Sequence, residues 1–232
     1  MDRLSKQKFN IILLVDTSRS MSGKRIEQVN QAILDISGYL KDMQKENSNV
    51  DFYLSILEFG TNARWKGKEF INNFNFEPIK ANGQSNLHLA YHELNEVLKK
   101  ESQGGMMPDF GGVAPVILLL TDGHPSKGNI KEELELLRAK PWFKVALKYG
   151  IAIELNDERT IKVLRNFVSG NGDVIQVYNA NLLERIIKII VMTASKVKSS
   201  SNSVHSHKYA NITEEIQQEI AESLQLVEDW EW

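Results

Sequence analysis

Short unbroken apolar runs alternate along this chain with longer stretches in which apolar residues recur every three or four positions. The runs at 9–15, 52–59, 115–120 and 149–155, with a weaker one at 173–177, are too short for free-standing helices. They read as strands buried on both faces, because a strand with one wet face would alternate. Between them, Ile26, Val29, Ile33, Ile36 and Leu40 fall on one face of a helix predicted over 24–43. Further helical patterns cover 86–100, 130–138, 158–168 and 182–192. Strands alternating with helices predict an α/β fold: a doubly wound, mostly parallel central sheet with helices on both faces, Rossmann-like in plan.

In such a sheet the functional crevice lies beyond the carboxyl ends of the strands. The first strand leads into Asp16-Thr17-Ser18-Arg19-Ser20, where a spacing of two aims Asp16, Ser18 and Ser20 at one point. The run Val116 to Leu120 ends in Thr121-Asp122-Gly123 and brings a second carboxylate to the same edge. Gly83-Gln84-Ser85-Asn86 precedes a helix and offers a third hydroxyl. Two carboxylates and three hydroxyls form a hard-oxygen set of the kind Mg²⁺ or Mn²⁺ accepts. So few charges leave the ion electrophilic, with one position open to water or to an external carboxylate from a protein partner.

Together, Asp16-Thr17-Ser18-Arg19-Ser20-Met21-Ser22-Gly23, Gly83-Gln84-Ser85-Asn86-Leu87 and Leu120-Thr121-Asp122-Gly123-His124-Pro125 resemble the von Willebrand factor A domain and its metal-ion-dependent adhesion site. The resemblance spans about residues 9–192. It implies direct contact of Ser18, Ser20 and Ser85 with the metal, and contact of Asp16 and Asp122 mainly through coordinated waters. The family usually has Thr where this chain has Ser85, which keeps the hydroxyl without the β-branch that stiffens its rotamer. In flavour the chain is similar to bacterial stand-alone A domains of the TerY-like, tellurium-resistance-associated kind. That likeness implies a stress-response or conflict system in which a protein kinase and a PP2C-type phosphatase are partners. Some TerY-like proteins carry a cysteine-rich C-terminal module, which a chain without cysteine lacks.

Composition narrows the classes. Among 232 residues there is no cysteine, so disulfides, thiolate zinc sites, iron–sulfur clusters and thiol nucleophiles are excluded. No segment approaches the roughly 18 apolar residues of a membrane span, and the first apolar run is too short for a signal peptide. A cytoplasmic protein without membrane attachment is expected. The net charge of −2 conceals a split: 209–232 hold seven acids and no Lys or Arg, leaving a body at +5. That excess is too small to indicate nucleic acid.

The expected organisation is a domain over 1–194, a Ser-rich linker over 195–208 and an acidic amphipathic helix over 209–232. Ile212, Ile216, Ile220 and Leu224 form its apolar stripe, and Trp230 and Trp232 close it, so these six are candidate docking residues. One of the tail's glutamates, or Asp229, is a candidate for the metal's open position.

Other features weigh less. Arg19 and His124 are placed at the rim, where a partner's acid would pass. Asn86 is expected to cap the helix it precedes. His88 and His92, at i and i+4, read as ordinary helix positions, and His205 and His207 as linker residues. The Gly-rich segment 104–112 leads into a strand and reads as a flexible connector at the far end of the sheet. No catalytic residue is assigned. A Mg²⁺-dependent phosphatase or phosphotransferase of the HAD type also places an aspartate after its first strand, but needs a second acid two positions later, where this chain has Ser18. A structural subunit with a vestigial site is the remaining alternative.

Overall fold

The computed structural model describes residues 6–47, 49–123, 125, 128–154, 157–169 and 172–196, together with 214, 217, 218, 221 and 222. Six strands form one sheet: β1 (Gln7–Asp16), β2 (Val50–Phe59), β3 (Ala63–Phe70), β4 (Val116–Thr121), β5 (Leu147–Ile153) and β6 (Gly172–Val177). Their order is β3-β2-β1-β4-β5-β6, parallel throughout except for β3, which pairs antiparallel with β2. The doubly wound, mostly parallel α/β architecture expected from the apolar runs is therefore the one observed.

Alternation within the apolar runs sorts side chains between two cores. Ile11, Leu13 and Val15 of β1 face α1 (Lys24–Glu46) and α6 (Ala180–Lys196), whereas Ile12 and Leu14 face the side covered by α2 (Leu87–Val97), α3 (Ile130–Ala139) and α5 (Glu158–Val168). All five of these residues are fully buried. Both faces are dry, which is why the central strands carry no polar alternation. The helix predicted from Ile26, Val29, Ile33, Ile36 and Leu40 forms, and each of these residues is in the core.

Three features differ from the expectations. The edge strand β3 was not apparent in the sequence because its residues are exposed or half-buried, with Arg64, Lys66, Lys68 and Glu69 giving no apolar run. It holds its place through the antiparallel ladder to β2 rather than through burial. A short helix, α4 (Pro141–Val145), starts on a proline and buries Phe143. The Gly-rich segment does lie at the amino-terminal end of β4, but it is anchored: Met107 is fully buried and bridges Lys100, with Glu101 N–H donating to the Met107 carbonyl at 2.8 Å. Burial of Met107 packs the first part of the segment, whereas Phe110, Gly111 and Gly112 stand exposed.

Candidate metal centre

Strand register brings the carboxyl ends of β1 and β4 side by side. Val15 pairs with Leu120, so Asp16 and the Thr121-Asp122 pair leave the sheet as neighbours. After Asp16 the chain enters a single 3-10 turn at Arg19–Met21, pinned by fully buried Met21. That turn folds Ser18 and Ser20 back over the strand end. Backbone hydrogen bonds then tie three loops together. Thr17 N–H donates to the Phe59 carbonyl (2.7 Å), Asn82 N–H to the Thr17 carbonyl (2.7 Å), Arg19 N–H to the Gly83 carbonyl (3.0 Å) and Asn86 N–H to the Gly60 carbonyl (3.1 Å). Gly83 has φ +105, and a Cβ there would lie 2.2 Å from Thr61 Oγ1, so glycine is required for the Ser85 loop to sit this low.

The five residues singled out by sequence converge. Asp16 is fully buried, and its Oδ1 accepts the Ser18 N–H at 2.8 Å. Its Oδ2 accepts hydroxyl hydrogen bonds from Ser85 (2.8 Å) and Thr121 (2.6 Å). Ser18 Oγ and Ser20 Oγ are 3.1 Å apart, and Ser20 Oγ donates to Asp122 Oδ1 at 2.7 Å. Exposure grades outward: Asp16, Ser18, Ser85 and Asp122 are buried, while Ser20 and Arg19 are exposed. The cluster thus has a dry floor and a single open side.

Electrostatics separate the two carboxylates. Burial pushes the Asp16 carboxyl above its ordinary range, and the hydrogen bonds from Thr121, Ser18 and Ser85 offset only part of that. Asp122 has a cation instead: Arg25 Nη1 donates to its Oδ2 at 2.7 Å. Arg25 in turn lies 3.4 Å from Glu154, whose carboxylate also meets Lys24 at 3.3 Å and Gln28 at 3.0 Å. Burial raises the Glu154 carboxyl, but the Gln28 and Lys24 hydrogen bonds and the charges of Lys24 and Arg25 outweigh it and hold the group below the usual carboxylate range.

These residues fit a small hard cation. For metal–oxygen distances near 2.0–2.1 Å, adjacent ligands of an octahedron lie about 2.9–3.0 Å apart. The hydroxyls of Ser18 and Ser20, two of the three residues read as direct ligands, are 3.1 Å apart, close to that edge length, and the carboxylates of Asp122 and Asp16 stand one hydrogen bond behind Ser20 and Ser85. Every donor is oxygen, which suits Mg²⁺ or Mn²⁺ and disfavours softer ions. Hydroxyls that now bond to carboxylates are the groups a cation would recruit.

Two residues were missed by sequence reasoning. Thr121 stands in the motif only as the residue before Asp122 and is given no role there, although its position beside Asp16 follows from the strand register. Arg25 lies in the first turn of α1, and nothing in the sequence linked it to Asp122, 97 residues away. The expected capping role of Asn86 is not realised: its side chain makes no cap, and Nδ2 donates to the Thr61 carbonyl at 3.0 Å, bracing the β2–β3 turn. His92 faces Glu133 at 3.6 Å, and among the described residues no group of three His, Cys, Asp or Glu side chains could hold a metal. His124, His205, His207, Ile212, Ile216, Ile220, Leu224, Asp229, Trp230 and Trp232 lie outside the described residues. Of the tail, Glu214, Gln217, Gln218, Ala221 and Glu222 are helical and exposed, and Gln217 Nε2 donates to Asp173 Oδ2 at 2.8 Å. Asp173 is the second residue of β6, the edge strand three places from β1 in the sheet.

Comparison with known proteins agrees with the fold. Inter-alpha-trypsin inhibitor heavy chain 4 of Mus musculus is 32% identical over 128 residues, covering 51% of this chain and 12% of that protein. Heavy chain H1 of Homo sapiens is 28% identical over 139 residues, covering 54% of this chain and 14% of its own length. The chain thus spans only about an eighth of the curated relatives it matches. Among solved structures, a von Willebrand factor type A protein from Catenulispora acidiphila superposes with a TM-score of 0.59 at 11% identity, covering 82% of this chain and 43% of that one. Proximal thread matrix protein 1 from the mussel byssus, solved with a zinc-occupied MIDAS motif, gives a TM-score of 0.52 at 16% identity over 82% of this chain and 48% of its own. Residues 10–189 match the von Willebrand factor type A domain, and the chain belongs to that family.

Proposed function

We propose that this chain is a non-catalytic, metal-dependent protein-binding module, in which Asp16, Ser18, Ser20, Ser85 and Asp122 hold Mg²⁺ or Mn²⁺ and a glutamate or aspartate of a partner protein completes the site. The observation that carries the reading is the convergence of five oxygen-bearing side chains from three loops on one open-sided cluster. When bound, the ion supplies a Lewis-acidic position that an external carboxylate can occupy. Ser18 and Ser20 present neutral oxygens, so the site's charge comes from only two carboxylates. Asp16 orients the Ser18 backbone and the Ser85 hydroxyl from below, and Thr121 holds Asp16 in turn. Arg19 stands exposed beside the opening, where an incoming acid passes. Among the described residues no histidine or lysine contacts either serine hydroxyl, and the one carboxylate that accepts from Ser20, Asp122, is paired to Arg25, which supports binding over nucleophilic chemistry.

The resemblance to TerY-like A domains extends the proposal to a bacterial, cytoplasmic stress-response system with a protein kinase and a PP2C-type phosphatase as partners. Residues 209–232 then serve as a docking helix joined to the 1–194 domain by the Ser-rich 195–208 segment. Calorimetric titration tests the central claim. Mg²⁺ or Mn²⁺ should give one saturable site in the native chain and none in the Ser18→Ala/Ser20→Ala variant. Absence of binding to the native chain, or equal binding to both proteins, refutes it.

A further inference from the structure

Arg25 is outside the five-residue oxygen set yet touches it twice. Its Nη1 donates to Asp122 Oδ2 at 2.7 Å and to the Ser20 carbonyl at 3.0 Å. Its Nε lies 3.4 Å from Glu154 Oε2. Glu154 is itself held in an unusual place. It leaves β5 with φ +49, a left-handed conformation that residues other than glycine seldom adopt, and its N–H donates to the Val177 carbonyl at 2.7 Å. Gln28 Nε2 and Lys24 Nζ fix its Oε1 at 3.0 and 3.3 Å. A chain of alternating charge, Lys24, Glu154, Arg25, Asp122, therefore runs from the surface of α1 into the cluster. The Asp122 side chain at its inner end is fully buried, whereas that of Lys24 at the outer end is 74% exposed.

The two oxygens of Asp122 have different tasks in this arrangement. Oδ1 faces Ser20 and the oxygen cluster, and Oδ2 is committed to the guanidinium. A divalent ion set against two full carboxylates is electrically neutral. With one of those carboxylates shared with an arginine, the site keeps a net positive charge. Charge of that sign repels a metal ion and attracts an anion, and a partly buried position screens neither effect fully.

Resting on the metal-centre reading above, we propose that Arg25 is a positioning residue that trades metal affinity for carboxylate affinity. It restricts Asp122 to one oxygen facing the cluster and adds a positive charge behind it, so that the metal is held less tightly but draws an acidic ligand more strongly. Glu154, paired to Arg25 from the other side, moderates that charge. A purely structural role for Arg25 would weaken both affinities together, whereas the trade moves them in opposite directions.

The test uses the full chain, with Mg²⁺ calorimetry for the metal and water-proton relaxation of the Mn²⁺-loaded protein for displacement of bound water by acetate. Arg25→Gln should bind Mg²⁺ on the order of tenfold more tightly while its Mn²⁺ form binds acetate several-fold more weakly. Glu154→Gln, which keeps the side-chain shape, should do the reverse on both measurements. It also carries the test alone if Arg25→Gln does not fold. Weaker Mg²⁺ binding by Arg25→Gln, tighter binding by Glu154→Gln, or wild-type values for both variants overturns the proposal while leaving the metal centre in place. A native chain that binds neither ion removes the metal centre and this inference with it.

Discussion

Asp16→Asn separates the cost of the site from its use. Asp16 is a fully buried carboxylate whose partners are one N–H and two hydroxyls, with no cation paired to it among the described ion pairs. Desolvating such an ion costs several kcal/mol. Three hydrogen bonds, each roughly 1 kcal/mol stronger to a charged acceptor than to a neutral one, recover most of this. The carboxyl consequently sits above its ordinary value of 3.8. A raised carboxyl means that the folded chain keeps a proton the unfolded chain has released, so stability falls as pH rises from about 4 through the folded value and stays reduced at neutrality. Asparagine retains an acceptor for the Ser18 N–H, and the Ser85 and Thr121 hydroxyls can rotate to accept from its amide. The metal-free variant should therefore be more stable by about 1–2 kcal/mol at pH 7, a rise in Tm of roughly 2–8 °C for a domain of this size. Metal reverses the order. At a hundredfold excess over Kd the native protein gains about 2.7 kcal/mol by mass action, and the variant, lacking the charge, gains almost nothing. Thermal melts in EDTA and in Mg²⁺ should thus cross, with Asp16→Asn higher in the first and lower in the second. A variant that melts below the native protein in EDTA and responds equally to Mg²⁺ would show that Asp16 is a structural turn residue.

Two further tests address groups outside the site. Lys148, almost fully buried on β5, donates to the carbonyls of Phe143 and Ala146 at 3.0 Å, and burial lowers its pKa to about 8. A lowered amine means that the unfolded chain holds the extra proton between about pH 8 and 10.5, so native stability should rise across that window by up to about 3 kcal/mol. Urea midpoints at pH 7.5 and 10 should show that rise, and Lys148→Met should lack it. Tyr91 stacks on Phe167 at 5.7 Å, and its buried hydroxyl has no hydrogen-bond partner among the described residues. Tyr91→Phe should accordingly stabilise the fold by about 1 kcal/mol, read as a higher denaturant midpoint at unchanged m-value. A loss of stability would mean that the hydroxyl is satisfied in solution.

What the sequence disclosed and what it withheld have a common physical origin. Buried parallel strands must be apolar along their whole length, so β1, β2, β4 and β5 announced themselves. The chemistry then had to lie at their carboxyl ends, which is where Asp16 and Asp122 stand. Strand β3 depends on hydrogen bonding to β2 more than on burial, and hydrogen-bonded pairing leaves no trace in hydropathy. Thr121 was masked for a related reason: a threonine ending a strand is ordinary until register sets it against Asp16. Arg25 was hidden because its role depends on a contact 97 residues distant, and a basic residue in the first turn of a helix opposes the helix dipole without saying what it does instead. Ser85 was legible only in company with the other two loops, since a serine before a helix is a common cap.

The backbone bonds that join Thr17, Phe59, Gly60, Asn82, Gly83 and Arg19 bear on kinetics as much as on shape. Because the three loops are already fastened to one another, filling the site requires rotation of a few hydroxyls and no ordering of main chain, whose entropic cost runs to about 1–2 kcal/mol per residue. Ion exchange in such a cradle should be limited by how quickly the ion sheds its own hydration water. The polypeptide would then track changes in cation concentration without a refolding delay.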